Sequence, residues 1–254
     1  MGGQGPRPLV VLCETAAHAP PSDPGPGITA PEPGTVHLWY APLADLRDRI
    51  GPYEELLDPV ELDRMRRFRF DADRERFILG HGLLRTLLGR YLERDPSLIR
   101  MARGPFGKPY LERKTLRFNL SDTKDAVLIA FADGMELGAD IETMTRDVDH
   151  VAVSEHYFTA PEIRAIAAAE HPKRHFLELW TRKEAVLKAS GVGIMDDLRV
   201  LRVDAPRNSM FIDHEAFTAM AAPQYHVRSW HVGQDHLVSL AAPEAPTAVH
   251  LFRA

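Results

Sequence analysis

Two short acidic motifs in the second half of the chain hold the residue types that could do chemistry. The first is Gly138-Ala139-Asp140-Ile141-Glu142; the second is Trp180-Thr181-Arg182-Lys183-Glu184-Ala185-Val186-Leu187-Lys188. In a strand alternate side chains share a face, so Asp140 and Glu142 point one way and Ile141 the other, into a core. Two carboxylates on one face repel: at ~4 Å and an effective dielectric of ~20 the cost is about 4 kcal/mol. A divalent cation between them reverses that sign. Oxygen-only ligands favour magnesium, manganese or calcium over zinc, and a phosphate-bearing substrate favours magnesium. The alternative is a solvated edge strand with no ligand.

The second motif reads as a helix. Trp180, Glu184 and Lys188 are four apart and share a face, with Lys183 beside it. A surface Glu184–Lys188 ion pair would explain the spacing without any site, but tryptophan on the same face argues for partial burial. Glu162, in Thr159-Ala160-Pro161-Glu162, has the form of a capping box; a helix N-terminus there would also suit phosphate. On the basic side Arg64, Arg66, Arg67, Arg69, Arg74 and Arg76 are interleaved with Asp63, Asp71, Asp73 and Glu75. Most should pair among themselves, leaving a subset to fork onto a phosphate. Lys108, between Gly107 and Pro109, is a cation on a rigid turn, and Ser121 follows a strand where its hydroxyl can donate to a phosphate oxygen.

The elements that must position these groups follow from periodicity and breakers. Val36–Tyr40, Leu116–Leu120, Ala126–Ala132, Leu137–Glu142 and Leu198–Val203 read as strands. Tyr225–His231 and His236–Ala241 read as a hairpin around Gly233-Gln234-Asp235. Pro59–Phe70, Asp73–Arg94, Ala160–Ala169 and Lys173–Ser190 read as helices. Gly191 and Gly193 stop the last of these, and Gly104–Pro109 is a turn. The residues up to 35, richest in proline and glycine over Ala17–Gly34, are expected to be a flexible lead-in. Helices mixed with short strands make an α+β fold. There is no glycine-rich nucleotide fingerprint and no internal sequence repeat.

Bulk properties narrow the class. The 254 residues are 44% hydrophobic and 26% charged, an ordinary globular balance. A net charge of -5 argues against general nucleic-acid binding, which needs a basic footprint. Cys13 is the only cysteine, so no internal disulfide and no cysteine cluster for zinc can form. The early apolar run Leu9–Cys13 is too short for a signal peptide, and no stretch reaches membrane-spanning length. The expectation is a cytoplasmic protein.

In order along the chain, Gly107-Lys108-Pro109, Phe118-Asn119-Leu120-Ser121, Gly138–Glu142, Phe158–Glu162 and Trp180–Lys188 with Gly191 and Gly193 resemble the 4'-phosphopantetheinyl transferases of the surfactin-synthetase-activating type. The resemblance spans Glu61 to Ala241. It implies an enzyme of secondary metabolism that moves the 4'-phosphopantetheine arm of coenzyme A onto a serine of an acyl or peptidyl carrier protein. Adenosine 3',5'-bisphosphate is the other product. It implies a monomeric pseudo-dimer: two similar subdomains, 36–136 and 137–254, with coenzyme A in the cleft between them and the metal site in the second.

By position, Asp140, Glu142 and Glu184 would hold magnesium on the pyrophosphate. Lys188 would contact phosphate, and Glu184 would assist deprotonation of the carrier serine. Arg64, Arg76, Lys108, Ser121 and Asp122 would lie on the coenzyme A side, with Lys183 near the pyrophosphate. Two departures stand out. Asp122 replaces a histidine usual after that serine; an anion beside phosphate is unfavourable, so it should turn away or pair with a nearby arginine. Glu61 stands where a lysine is frequent, so the nucleotide clamp must differ and Arg64 carries more of it.

Overall fold

The computed structural model describes residues 8–16, 20–25, 27–112, 114–193 and 197–254. Parts of the expected lead-in (1–7, 17–19 and 26) lie outside the described residues. In chain order the strands are β1 (Pro8–Thr15), β2 (Thr35–Pro42), β3 (Ala102–Arg103), β4 (Pro109–Tyr110), β5 (Leu116–Asp122), β6 (Ala126–Asp133), β7 (Gly138–Thr143), β8 (Arg207–Phe211), β9 (Gln224–Val232), β10 (His236–Ala242) and β11 (Ala248–Arg253). The helices are α1 (Leu43–Leu46), α2 (Ile50–Glu55), α3 (Pro59–Arg66), α4 (Asp71–Leu92), α5 (His150–Tyr157), α6 (Ala160–Ala168), α7 (Pro172–Ser190) and α8 (Glu215–Met220).

Two main sheets form, ordered β11-β2-β6-β5 and β7-β10-β9-β1-β8. In each, a strand leads to a long helix and, further along the chain, to an antiparallel hairpin whose second strand pairs with the first: β2, α4, β5–β6 and β7, α7, β9–β10, with β8 and the short α8 between helix and hairpin in the second. The connection pattern thus recurs although no sequence repeat is visible. The sheets face each other through Val36, Leu38, Leu128, Ala130, Ile141, Trp230, Val238 and Leu240. α4 covers the outer face of the first sheet and α7 that of the second. β6 is central and apolar on both faces, as a doubly covered strand must be.

The termini cross over. Residues 8–15, read from sequence as lead-in, are β1, paired with β8 and β9 inside the second sheet. Leu9, Val11 and Cys13 alternate into the core around α7. β11 runs parallel to β2 in the first sheet, so the C-terminal segment does not stay with the second half. Leu198–Val203 is not a strand: Asp197 accepts from the Arg199 N–H and starts a single 3₁₀ turn over Leu198–Val200. The other elements lie close to their expected bounds. Among the described residues no helix is long and apolar enough to cross a membrane.

Candidate active site

β5 and β7 are edge strands of different sheets, and they meet. Period-two alternation sends Phe118 into the core under α4 and turns Asn119 and Ser121 towards β7. There Asn119 Oδ1 accepts from the Ala139 N–H at 2.8 Å, and Ser121 Oγ accepts from the Ile141 N–H at 3.3 Å. The motif serine and asparagine therefore satisfy the outer edge of β7 and fix its register against β5.

On β7, Ala139 and Ile141 enter the core between the sheets, leaving Asp140 and Glu142 together on the face towards α7, as the alternation predicted. Gly138 makes the approach of α7 possible. A Cβ there would lie 2.2 Å from Ala185 O and 2.3 Å from Ala189 N, so only glycine lets the helix backbone rest on the strand. α7 starts with Pro172 at its first turn and ends at Gly191 in the left-handed region (φ 77), as the breakers implied. Its position brings Glu184 and Lys188 over Asp140.

A cleft of ≈ 560 Å³ opens at this junction. Asp140, Glu142, Glu184, Lys188, Ser121 and Trp180 line one end; Arg64, Arg76, Phe77 and His81 line the wall from α3 and α4. Lys188 does not pair with Glu184 along the helix. Its Nζ donates to Asp140 Oδ1 at 2.6 Å and to Ser121 Oγ at 2.8 Å, while Ser121 donates to Asp140 Oδ1 at 2.8 Å. Burial works against the Lys188 charge, but the Asp140 carboxylate outweighs it and raises the ammonium pKa. Among the described residues Asp140 Oδ2 is buried without a hydrogen-bond partner.

Glu142 and Glu184 are perturbed in the same sense. Burial, and then the neighbouring Asp140 charge, push each carboxyl up to about 7. Glu142 is held by Arg146, whose guanidinium lies 5.6 Å over the Trp180 ring. Among the described residues no group of three histidine, cysteine, aspartate or glutamate side chains is drawn together around one point; Lys188 and Arg146 act as counter-ions to the carboxylates instead. The donor set nevertheless fits a hard divalent cation. It is all oxygen, it has an orphaned Asp140 Oδ2, and burial and then the Asp140 charge hold two of its members against ionisation.

Several sequence expectations are corrected. Lys183 does not face the cleft. It is fully buried, with Nζ donating to Glu162 Oε2 (2.9 Å), Tyr157 O (3.2 Å) and Leu198 O (3.0 Å) and lying over the Phe158 ring. Glu162 completes the capping box with Thr159 and accepts from the Val203 N–H. The lysine and glutamate thus lock α6 to α7, and burial lowers the Lys183 pKa even against the glutamate charge. Lys108 turns out of the cleft to Glu136 Oε2 (3.1 Å) and Leu137 O (3.0 Å), beside a second cavity. Its backbone neighbours Gly107 and Pro109, not its ammonium, line the cleft.

Asp122 pairs with Arg76: its Oδ2 accepts from Arg76 Nε at 2.6 Å. Arg76 also donates to Asp73, so its charge is shared between two carboxylates. The interleaved acids pair with Arg67 and Arg74 as well. Among the described residues Arg64 has no such partner; it sits 5.4 Å over Phe77. Glu61 is buried and faces inward. It caps α3 with Asp58 and accepts from His81 Nδ1 at 2.7 Å and Arg85 Nε at 2.6 Å. Burial opposes its ionisation, but the bonds and charge of His81, the Asp58 N–H and Arg85 outweigh it and lower its pKa. It orients His81, stacked on Phe77 at 4.0 Å, in the cleft wall.

Comparison with known proteins gives the family. The family model described as 4'-phosphopantetheinyl transferase superfamily matches residues 136–241, and that for the N-terminal part of 4'-phosphopantetheinyl transferase matches residues 50–133. The chain is 33% identical over 165 residues to the 4'-phosphopantetheinyl transferase HetI of Nostoc sp., covering 63% of this chain and 70% of the relative. The chain belongs to the 4'-phosphopantetheinyl transferase family. A phosphopantetheinyl transferase of Thraustochytrium sp. is 31% identical over 238 residues, covering 82% of this chain and 79% of that protein. The transferase Sfp of Bacillus subtilis is 28% identical over 145 residues, covering 56% and 63%. As a 4'-phosphopantetheinyl transferase, the protein moves the phosphopantetheine group of coenzyme A to a carrier-protein serine.

Proposed function

We propose that the cleft between the two halves binds coenzyme A with its diphosphate at Asp140, Glu142, Glu184 and Lys188, and that these three carboxylates hold a magnesium ion. The observation that carries the reading is that all three, with Lys188, line one cleft at the junction of β5, β7 and α7. Bound there, magnesium would neutralise charge on the diphosphate oxygens.

The chain's own groups have separable roles. Lys188, fixed by Asp140 and Ser121, offers a cation to a phosphate oxygen. Glu184 makes no ion pair with Lys188 and lines the cleft, where its carboxylate can take the serine proton. In the reaction the carrier serine oxygen attacks the β-phosphorus in line. Its proton passes to Glu184, directly or through water. The bond to the bridging oxygen breaks, and adenosine 3',5'-bisphosphate leaves. Arg64, Arg76 and His81 form the wall for the nucleotide end.

The recurrent strand, helix and hairpin order supports reading the two halves as a pseudo-dimer in one chain of the surfactin-synthetase-activating type. We place it as a cytoplasmic monomer acting on an acyl or peptidyl carrier protein. The test is to incubate apo carrier protein with coenzyme A and magnesium and weigh the product. A gain of one phosphopantetheine per carrier, lost in a folded Asp140→Asn variant, is expected. Full modification by that variant would reject the site.

A further inference from the structure

Arg146 has no role in the reaction as written, yet it is held at the carboxylates with care. Its guanidinium donates to Glu142 and lies over Trp180. Trp180 is in turn fixed by stacking on Phe176 and by an edge contact with Tyr157. The Arg146 backbone N–H donates to Thr143 O at 3.0 Å, pinning the turn that leaves β7. Its side chain is 34% exposed, against 12% for Glu142, so this is not a pair between two solvated groups. Around the carboxylates, Asp140 has Lys188 for a counter-ion and Glu142 has Arg146. A guanidinium and a divalent ion repel each other when they crowd one carboxylate.

We infer that Arg146 is a resident counter-ion that competes with the divalent cation for Glu142 and so sets the affinity of the site for that cation. The inference rests on the reading that Asp140, Glu142 and Glu184 hold a cation. Without the cation, Arg146 and Lys188 offset most of the buried negative charge. With it, the cluster has an excess of positive charge that only an anionic ligand relieves. The device makes the cation bind weakly alone and firmly together with the substrate diphosphate. Arg146 stays stacked on Trp180 and leaves Glu142.

The experiment is a titration of the free enzyme with manganese, followed by electron paramagnetic resonance, without coenzyme A. Removing one charge a few ångströms from a divalent ion should make Arg146→Gln bind manganese about tenfold more tightly. Arg146→Lys, which keeps the charge, should bind as the parent does. Unchanged or weaker binding by Arg146→Gln would overturn the inference. Asp140→Asn separates it from the reading beneath it. If that variant loses manganese while Arg146→Gln gains nothing, only the competition fails. If Asp140→Asn binds as tightly as the parent, the cation site fails and the inference with it.

Discussion

Adding one carbon at Gly138 should disable the enzyme without touching any side chain of the site. The new Cβ would lie 2.2 Å from Ala185 O, 2.3 Å from Ala189 N and 2.8 Å from Lys188 C. All three are backbone atoms of α7, so no rotamer change relieves the clash. Ordinary non-bonded contact needs about 3.5 Å, so the helix must retreat by roughly 1 Å. Lys188 Nζ, now 2.6 Å from Asp140 Oδ1, would move towards the limit of hydrogen bonding, and Glu184 would shift with it. Overpacking of this kind costs about 1–3 kcal/mol, a fall of about 3–10 °C in Tm for a chain of this size. A 1 Å displacement of catalytic groups costs about 100-fold in rate. The assay is the initial rate of carrier modification by mass spectrometry, with thermal unfolding alongside. Gly51→Ala is the control, since nothing lies within 4 Å of its added Cβ. A Gly138→Ala enzyme with parental rate and Tm would refute the claim that helix-on-strand contact sets the site.

Further predictions separate structural from reacting groups. Lys183→Met leaves Glu162 buried and unpaired and should cost about 3–5 kcal/mol in urea unfolding; the KM for coenzyme A of the folded fraction should stay at the parental value. Lys188→Met also strips the counter-ion from buried Asp140 and should lower stability, but unlike Lys183→Met it should abolish transfer by the folded fraction; an active Lys188→Met would contradict its role. Asp122→Asn returns part of the Arg76 charge to the cleft and should lower the KM for coenzyme A several-fold, more so at low salt; an unchanged KM would remove the pairing from the binding account. His37 is buried, and burial and then His250 lower its pKa from 6.5 to about 4. Tyr91 Oη accepts from Trp39 Nε1, leaving its own proton for His37 Nδ1 at 2.8 Å. A depressed folded pKa means this contribution is complete above pH 6.5 and is lost as pH falls towards 4, about 3 kcal/mol in all. His37→Gln should therefore narrow the stability difference between pH 7 and pH 4.5; an undiminished difference would point elsewhere.

Much of the site was legible because it depends on local periodicity. Alternation on β7 placed Asp140 and Glu142 together, and four-residue spacing on α7 placed Glu184 with Lys188. What was misread depends on partners distant in sequence. Lys183 adjoins Glu184 in the chain but is turned about 100° around the helix, onto Glu162 from another helix. Lys108 was read as a cation fixed on a rigid turn for phosphate, because its partner Glu136 lies 28 residues away. The motif serine Ser121 was expected to serve phosphate; it also braces Asp140 and Lys188 across the two sheets. Arg146 carried no signal at all, since it leaves β7 in a turn where no spacing rule predicts facing. β1 was hidden by its proline-rich surroundings, although the alternation of Leu9, Val11 and Cys13 was there to be read. β11 shows only Leu251 buried and offers no comparable pattern.

In the proposed site Asp140, Glu142 and Glu184 jointly grip one divalent ion against the diphosphate. Anomalous diffraction at the manganese edge, from crystals grown with manganese and coenzyme A, tests it most directly. One peak bonded to oxygens of all three side chains and to the diphosphate is expected. A peak elsewhere in the cleft, or one that leaves Glu184 unbound, would contradict it.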